Sequence, residues 1–459
     1  MSLLHEWLDI TARWRDAFTQ ERTAVRAVRQ GLGSLVCLGR RTITRALWAC
    51  GRENLPWQAE YHLYGRAKWD PQQLFDPIWD GALPLCGGPL VGVAIDDTKL
   101  HKTGRCIVQA FHQRDPLSPP FHTNLILGLR FLQASLLVPL HHAGPFSCRA
   151  LPVRFEESSP ARKPGKRASD EDWEAYKQSR KENNLSTHCV KMIGNLRASL
   201  DAAGATKNIL VASLDGSFCN RTVFGAERDR TQLIARTRKN AKLCHRAPEG
   251  SRRFYAQEKF TPEQVRQDDT IAWATTKIFY GGKRRKVRYK EIKNLYWQGG
   301  ARRLPLRLFV VAPTPYRKRK SSKRYYRQPA YLLCTDMVHA AQRLLQIYFD
   351  RWQIEVNHRE EKDTLGVGQA QLWNPNSVPK QPPLAVAAYS ALLLAALKAF
   401  GPERNGKYAP LPRWRKHATR PSCLDLITLL RKEMDEQPQL LQPLGINTSR
   451  TKMASAAAA

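Results

Sequence analysis

Tyr348, Arg351, Glu355 and Lys362 lie in the stretch YFDRWQIEVNHREEK, residues 348–362. A helix advances about 100° per residue, so with Tyr348 at 0° the other three fall at about 300°, 340° and 320°. Glu360 and Glu361 fall at about 120° and 220° and point elsewhere. One carboxylate is thereby placed beside a tyrosine and two cations. A solvated face with an Arg351–Glu355 pair at i, i+4 spacing accounts for part of this pattern. Two more acids close apolar runs: Asp96, with Asp97 beside it, ends LVGVAIDD (90–97), and Asp215 ends NILVASLD (208–215). Either alone reads as an acid opening a turn. Acids at the carboxyl rim of a sheet are also where open α/β folds build their sites.

The chain around these acids is strongly basic. It has 74 Lys and Arg against 40 Asp and Glu, a formal net charge of +34 in 459 residues. Such a charge implies a polyanionic partner, nucleic acid above all. Three carboxylates in that setting suit two-metal phosphodiester chemistry, where paired cations activate the attacking hydroxyl and stabilise the leaving oxygen. Mg²⁺ takes carboxylate oxygens, waters and phosphate, so no His or Cys ligand is required. The ten cysteines form no CxxC pair, which excludes a zinc ribbon and a disulfide framework and points to a reducing cytoplasm. His141-His142 with Cys148, and His188-Cys189, lack metal-ligand spacing and read as core or loop residues.

The elements that must position these groups alternate in texture. Residues 1 to about 80 read as helices; within 40–69, two short helices are broken by Gly51 and Pro56. A helix-turn-helix exposing Arg41, Thr42, Thr44, Arg45, Arg66 and Lys68, or a plain bundle, fits this stretch equally. LVGVAIDD, CIVQAFHQ and TNLILGLRFLQASLLVPL (123–140) read as three successive strands. A polar loop (157–172), one long helix from about 170 to 203 and the strand NILVASLDGSF follow. From about 230 to 335 the chain is basic and strand-rich, with a Gly281-Gly282 hairpin and a tract, PYRKRKSSKRYYRQ (315–328), too charged to pack. LAVAAYSALLLAAL (384–397) falls short of the roughly 20 residues a membrane span needs and reads as a buried helix. The amphipathic, early-acidic N-terminus argues against a signal peptide, and the tail ASAAAA is low in complexity.

The full interval pattern Tyr348-x2-Arg351-x3-Glu355-x6-Lys362 resembles the Tyr-Arg-Glu-Lys signature of a large group of bacterial insertion-sequence DDE transposases. AIDDTKL around Asp96 is similar to that group's first-acid motif, and LVASLDGSF to its second. LIARTRKNAKL (233–243), which contains Arg236, resembles the strand that follows the second acid. The resemblance spans roughly residues 90 to 400. It implies a ribonuclease H-like mixed sheet with flanking helices, interrupted by a β-rich insertion, plus a helical N-terminal DNA-binding domain. The implied metal ligands and catalytic acids are Asp96, Asp215 and Glu355, holding two Mg²⁺ ions for which Mn²⁺ can substitute; Asp97 rivals Asp96. Tyr348, Arg351, Lys362 and Arg236 would contact DNA. Trp297, in NLYWQGG, is a candidate to hold a flipped base or, as an alternative, a packed core residue.

The implied division is 1–85 for the N-terminal domain, 86–225 for the first part of the catalytic core and 226–335 for the insertion. Residues 336–400 are the closing helices, and 401–459 a C-terminal helical region and tail. The implied function is cleavage of transposon ends, through a hairpin, and joining of the 3′-hydroxyl to target DNA. The partners would be double-stranded terminal inverted repeats and target DNA, with a homodimer in the synaptic complex, no membrane, and a place in the bacterial nucleoid. A ribonuclease H-like nuclease without strand transfer, and a DNA-binding protein without catalysis, are the alternatives.

Overall fold

A computed structural model describes residues 2–447, apart from 105, 116–117, 120, 141–147, 320 and 416–417. The His141-His142 pair and the ASAAAA tail lie outside the described residues. The chain opens with helices α1 (Leu3–Ala12), α2 (Glu21–Val36), α3 (Ile43–Ala49), α4 (Gln58–Gly65) and α5 (Asp76–Cys86). Ser2 and Thr42 cap α1 and α3 by accepting from the amides of His5 and Arg45. That capping role, and the half-burial of Arg41 and Thr42, remove two of the six residues expected to be exposed in this stretch. Glu60 of α4 is buried and pairs with Arg29 of α2, while Gln30 donates to its other oxygen at 3.0 Å.

Four strands follow: β1 (Leu90–His101), β2 (Phe111–Arg114), β3 (Leu125–Pro139) and β4 (Cys148–Glu157). Then come α6 (Asp170–Glu182), α7 (Leu185–Ala202), β5 (Ile209–Leu214), α8 (Arg221–Phe224), β6 (Thr231–Arg236) and α9 (Pro262–Gln267). The single helix expected over 170–203 is therefore two. Asn183 ends the first, and Asn184 caps the second by accepting from Thr187 N–H, the competition with helical bonding that Asn side chains offer. CIVQAFHQ is strand only from Phe111, and β4, which periodicity did not single out, pairs with β3.

The remaining elements are β7 (Ala274–Tyr280), β8 (Lys283–Leu295), β9 (Leu306–Val311), β10 (Pro315–Tyr316), β11 (Tyr325–Tyr326), β12 (Ala330–Cys334), α10 (Ala341–Asp350), α11 (Trp352–Arg359), α12 (Gln381–Phe400) and α13 (Cys423–Glu436). Gly281 and Gly282, both with positive φ (59° and 77°), close the β7–β8 hairpin, the conformation a tight two-residue turn demands. The tract expected not to pack forms the two-stranded ribbon β10–β11.

Ten strands make one mixed sheet, ordered β2-β3-β1-β5-β6-β12-β9-β8-β7, with β4 also paired to β3. β1, β5 and β6 run parallel; the others are antiparallel to their neighbours. This mixed α/β sheet with flanking helices fits the ribonuclease H-like fold. The strands of the 226–335 segment are not set apart from it, because β6–β12 pairing carries them onto the same sheet. On one face, alternate residues Val91, Val93 and Ile95 join a core with α1, α2, α5, α7 and α12. On the other, Leu90 and Ala94 pack with Leu344, Ile347 and Ile354 of α10 and α11. α12 is long and apolar enough to cross a membrane, but most of it is buried between the sheet and the N-terminal helices. Each fully buried leucine in it contributes about 2 kcal/mol.

Candidate active site

Asp96 and Asp215 are brought together by strand register. In the parallel β1–β5 pair, Ile95 stands opposite Leu214, so the next residue on each chain is an acid. Adjacent strands lie about 4.8 Å apart, which makes the two carboxylates neighbours. The acid on β1 is not at a strand end, as its apolar run suggested. β1 continues to His101 against β3, and Asp96 sits where only its parallel partner stops.

Alternation of side chains separates Asp96 from Asp97. Asp96 shares its face with Leu90 and Ala94, the face covered by α10 and α11; Asp97 shares the opposite face with Val93 and Ile95. Burial raises the Asp97 carboxyl, opposed by Arg130 and Lys99. The backbone N–H of Asp97 donates to Asp96 Oδ1 at 2.9 Å and fixes that carboxylate.

The expected 348–362 helix is interrupted. α10 ends at Asp350, α11 begins at Trp352, and Arg351 at the junction keeps helical angles with its N–H donating to Ile347 O at 3.2 Å. Residues Glu360–Thr364 widen into a π-turn, which shifts Lys362 from its ideal α-helical phase. Lys362 is exposed and stands outside the ion pairs described next. Glu360 and Glu361 do point elsewhere: Glu360 accepts from Tyr389 O–H, and Glu361 is buried and pushed up to about 8 by desolvation.

Arg351 gathers the acids. Its guanidinium is 3.6 Å from Asp96 Oδ2, 3.8 Å from Asp215 Oδ1 and 3.6 Å from Glu355 Oε1. None of these is a hydrogen bond, and Arg351 Nη1 is buried without a hydrogen-bond partner. Burial lifts the Asp96 carboxyl to about 7; Arg351 opposes the lift, while Asp97 and Asp215 add to it. Burial also raises Glu355, again against Arg351 and with Asp215. Tyr348 is pushed up by burial, with Arg351 and then Arg236 opposing the shift.

Two cavities open beside this cluster, and Arg236 lines both. One, of about 870 Å³, lies between Gly216, Arg238, Lys239, Glu263, Arg266 and Tyr331. The other, of about 580 Å³, is bounded by Tyr280, Arg327, Tyr348, Arg351 and Trp352. Trp297 lines a third, of about 430 Å³, with Ser217 and Arg238. Its half-buried ring stands edge-on to Phe224 at 6.0 Å and lies over Gly300, where a Cβ would approach the ring to 2.2 Å. Trp297 thus packs on one side and borders a basic groove on the other.

A buried polar chain behind the acids escaped the sequence reading. Gln133, the register partner of Asp96, donates to Ser135 Oγ at 3.1 Å, and Ser135 Oγ donates to Asn357 Oδ1 at 3.0 Å. Asn357 in turn donates to Ala150 O and Tyr389 O–H, each at 3.1 Å. This ties the helix of Glu355 to the strand beside Asp96. Its one sequence signal is that Asn357 falls about 180° from Tyr348 on the helix, an amide facing the core. His188, of the His188-Cys189 pair, shares a 2.7 Å hydrogen bond with Ser158, and Cys189 is buried and free.

The donor set is three hard carboxylates, the chemistry that suits a divalent cation such as Mg²⁺. Their present positions are those of carboxylates gathered on a guanidinium: among the described residues, no group of three His, Cys, Asp or Glu is spaced to hold a metal ion. The model of a family described as DDE superfamily endonuclease matches residues 15–303, well over half of the chain. The match includes Asp96, Asp215, Arg236 and Trp297 and ends before α10 and α11. No curated protein matches the chain.

Proposed function

This chain belongs to the DDE superfamily endonuclease family, and from that premise we propose that it is a cut-and-paste DNA transposase of the Tyr-Arg-Glu-Lys group. The observation that carries the reading is the Arg351 guanidinium held among Asp96, Asp215 and Glu355 from two strands and a helix. An endonuclease family, a net charge of +34 and basic cavities beside the acids support double-stranded DNA as the substrate. Asp96, Asp215 and Glu355 would hold two Mg²⁺ ions, with Mn²⁺ as a substitute. When bound, such ions activate the attacking hydroxyl and stabilise the leaving oxygen.

The chain's own groups orient the DNA. Arg351 has the planar fork to grip a phosphate beside the cut, and Lys362 adds a point charge at the end of the same helical segment. Tyr348 and Arg236 line the cavity through which the strand reaches the acids. Trp297 offers a ring face to an unstacked base. The helices of residues 1–85, with exposed Arg45, Arg66 and Lys68, bind the terminal inverted repeats. The freed 3′-hydroxyl attacks the opposite strand to give a hairpin and, once that is reopened, joins target DNA. Two chains act as a homodimer on the paired ends, in the bacterial nucleoid.

The test is strand transfer by the full chain from a pre-cleaved transposon end in Mg²⁺. Joined product is expected, lost in Glu355→Gln with DNA binding retained. Cleavage without any joined product would reduce the protein to a nuclease, and unchanged cleavage by Glu355→Gln would remove Glu355 from the site.

A further inference from the structure

The charged tract between β9 and β12 has no role in the catalytic cluster, yet its construction is specific. No Asp or Glu occurs between Glu291 and Asp336. Within that span β9 and β12 are antiparallel neighbours in the sheet, and the chain joining them runs on as the β10–β11 ribbon. Tyr316 pairs with Tyr325 across the ribbon, and Arg327 N–H closes its base on Thr314 O at 2.9 Å. The tyrosine rings meet at a tilt of 30°, 5.6 Å between centroids. Lys318 and Lys323 lie 5.1 and 5.4 Å from the Tyr325 ring, and Arg327 lies 5.8 Å from that of Tyr316. The aromatic pair stiffens a ribbon whose cations have no carboxylate in the tract to neutralise them. Lys318, Lys323, Arg324 and Arg327 are exposed, and Tyr326 is 60% exposed.

The ribbon's position gives this charge a direction. Arg327 and Gln328 at its base line the cavity that also holds Tyr348 and Arg351. Gln328 and Pro313 line the larger basic cavity on the other side of Arg236. Whatever the ribbon holds is therefore continuous with what enters the acid cluster. A two-stranded β-ribbon is one of the shapes that the major groove of B-form DNA admits, and lysines and arginines on its flanks are placed to meet the bordering phosphates.

We infer that the β10–β11 ribbon is a duplex-DNA arm, which seats in the major groove next to the cleavage position and holds the flanking phosphates through Lys318, Lys323 and Arg324. The inference rests on the DNA-cutting reading of the acid cluster and adds to it a surface that the cluster does not require.

The experiment measures binding of the full chain to a short fluorescent duplex without divalent metal, over a series of salt concentrations. Each phosphate contact adds about 0.9 to the slope of log affinity against log salt, so Lys318→Ala/Lys323→Ala/Arg324→Ala should flatten the slope by about 2 to 3. Tyr326→Ala should weaken binding several-fold and leave the slope in place, because it removes no charge. All four side chains lie on the surface, and matching circular dichroism melts will show that the variants fold. An unchanged slope in the triple variant overturns the inference while the DNA-cutting reading stands. A loss confined to single-stranded probes overturns the duplex assignment. A wild-type chain that binds no duplex at all overturns both.

Discussion

Arg29, buried, and Arg351, half-buried, both face carboxylates, and they differ in almost every other respect. Arg29 meets one acid, Glu60, and also donates to Leu444 O at 2.5 Å; Glu60 takes a second donor from Gln30. The side chains of Arg29 and Glu60 are 7% and 2% exposed. Arg351 is shared among three acids that are 20%, 44% and 37% exposed, at distances longer than any hydrogen bond. The first arrangement is closed: both Glu60 oxygens have donors and both Arg29 Nη atoms have acceptors, only Arg29 Nε being without one, and the two side chains are almost entirely covered. The second is open, with more negative charge than one guanidinium balances, and it favours entry of a further cation.

The comparison breaks most sharply under substitution. Asp215→Asn should cut metal-dependent end cleavage on the order of 10⁴-fold, about 5 kcal/mol of barrier. It should leave the urea unfolding midpoint of the metal-free protein unchanged or raised, because it relieves repulsion among the acids. Glu60→Ala should do the opposite. It leaves Arg29 buried and uncompensated, at a cost of about 3–5 kcal/mol in urea unfolding. Cleavage per folded molecule should stay near wild type. If both variants lose stability equally, the acid cluster is a structural ion-pair network and the contrast collapses.

Acidity sharpens the same contrast. Burial lifts the Asp96 carboxyl from 3.8 to about 7; Arg351 opposes the lift, Asp97 and Asp215 add to it, and Glu355 shares the same guanidinium. A folded-state value above the unfolded one means that the native protein holds the proton more tightly. The stabilising contribution is full below about 3.8 and is lost as pH rises through about 7. The interval corresponds to at most about 4 kcal/mol. Metal-free wild type should therefore lose unfolding free energy between pH 5 and pH 8 relative to Asp96→Asn, on the order of a few kcal/mol. Metal affinity should run the other way and strengthen toward pH 7, since the ligand must be deprotonated. Parallel stability curves for the two proteins would remove Asp96 as the group responsible.

How far the sequence spoke for itself depended on the range of the forces involved. The β5 strand, the Gly281-Gly282 hairpin, α12 and α13 follow local patterns of alternation, turn residues and helical period, and the structure has them where those patterns lie. The stripe of Tyr348, Arg351 and Glu355 was legible because helical phase is local. Its continuation to Lys362 was less so, since the π-turn at Glu360–Thr364 depends on packing around buried Glu361. That Asp96 lies within a strand, and that Asp96 rather than Asp97 faces Arg351, depends on pairing with β3 and β5, which no local pattern encodes. The Gln133–Ser135–Asn357 chain joins residues more than 200 positions apart and could be read only from the fold. The same holds for the 226–335 segment, whose strands were legible one by one while their place on the main sheet was not.

The smallest expected effect tests how finely α10 must be held. Gly92 on β1 faces Ile347, the residue one turn before Arg351, and a Cβ at Gly92 would stand 3.1 Å from Ile347 Cγ2 and 3.4 Å from its Cγ1. The missing side chain lets α10 lie close enough for Arg351 to reach the acids of β1 and β5. Gly92→Ala should push the helix outward by a few tenths of an ångström, with overpacking costing about 1 kcal/mol. A 1 Å misplacement costs on the order of 10²-fold in rate, so this smaller shift should slow cleavage by less than about 10-fold. Gly194→Ala on α7 is the control, since a Cβ there meets nothing within 4 Å. A helical alanine should stabilise by about 0.5–1 kcal/mol and leave cleavage alone. If Gly92→Ala behaves like Gly194→Ala in both measurements, the seat of α10 on β1 does not set the reach of Arg351, and the openness of its ion pairs has another origin.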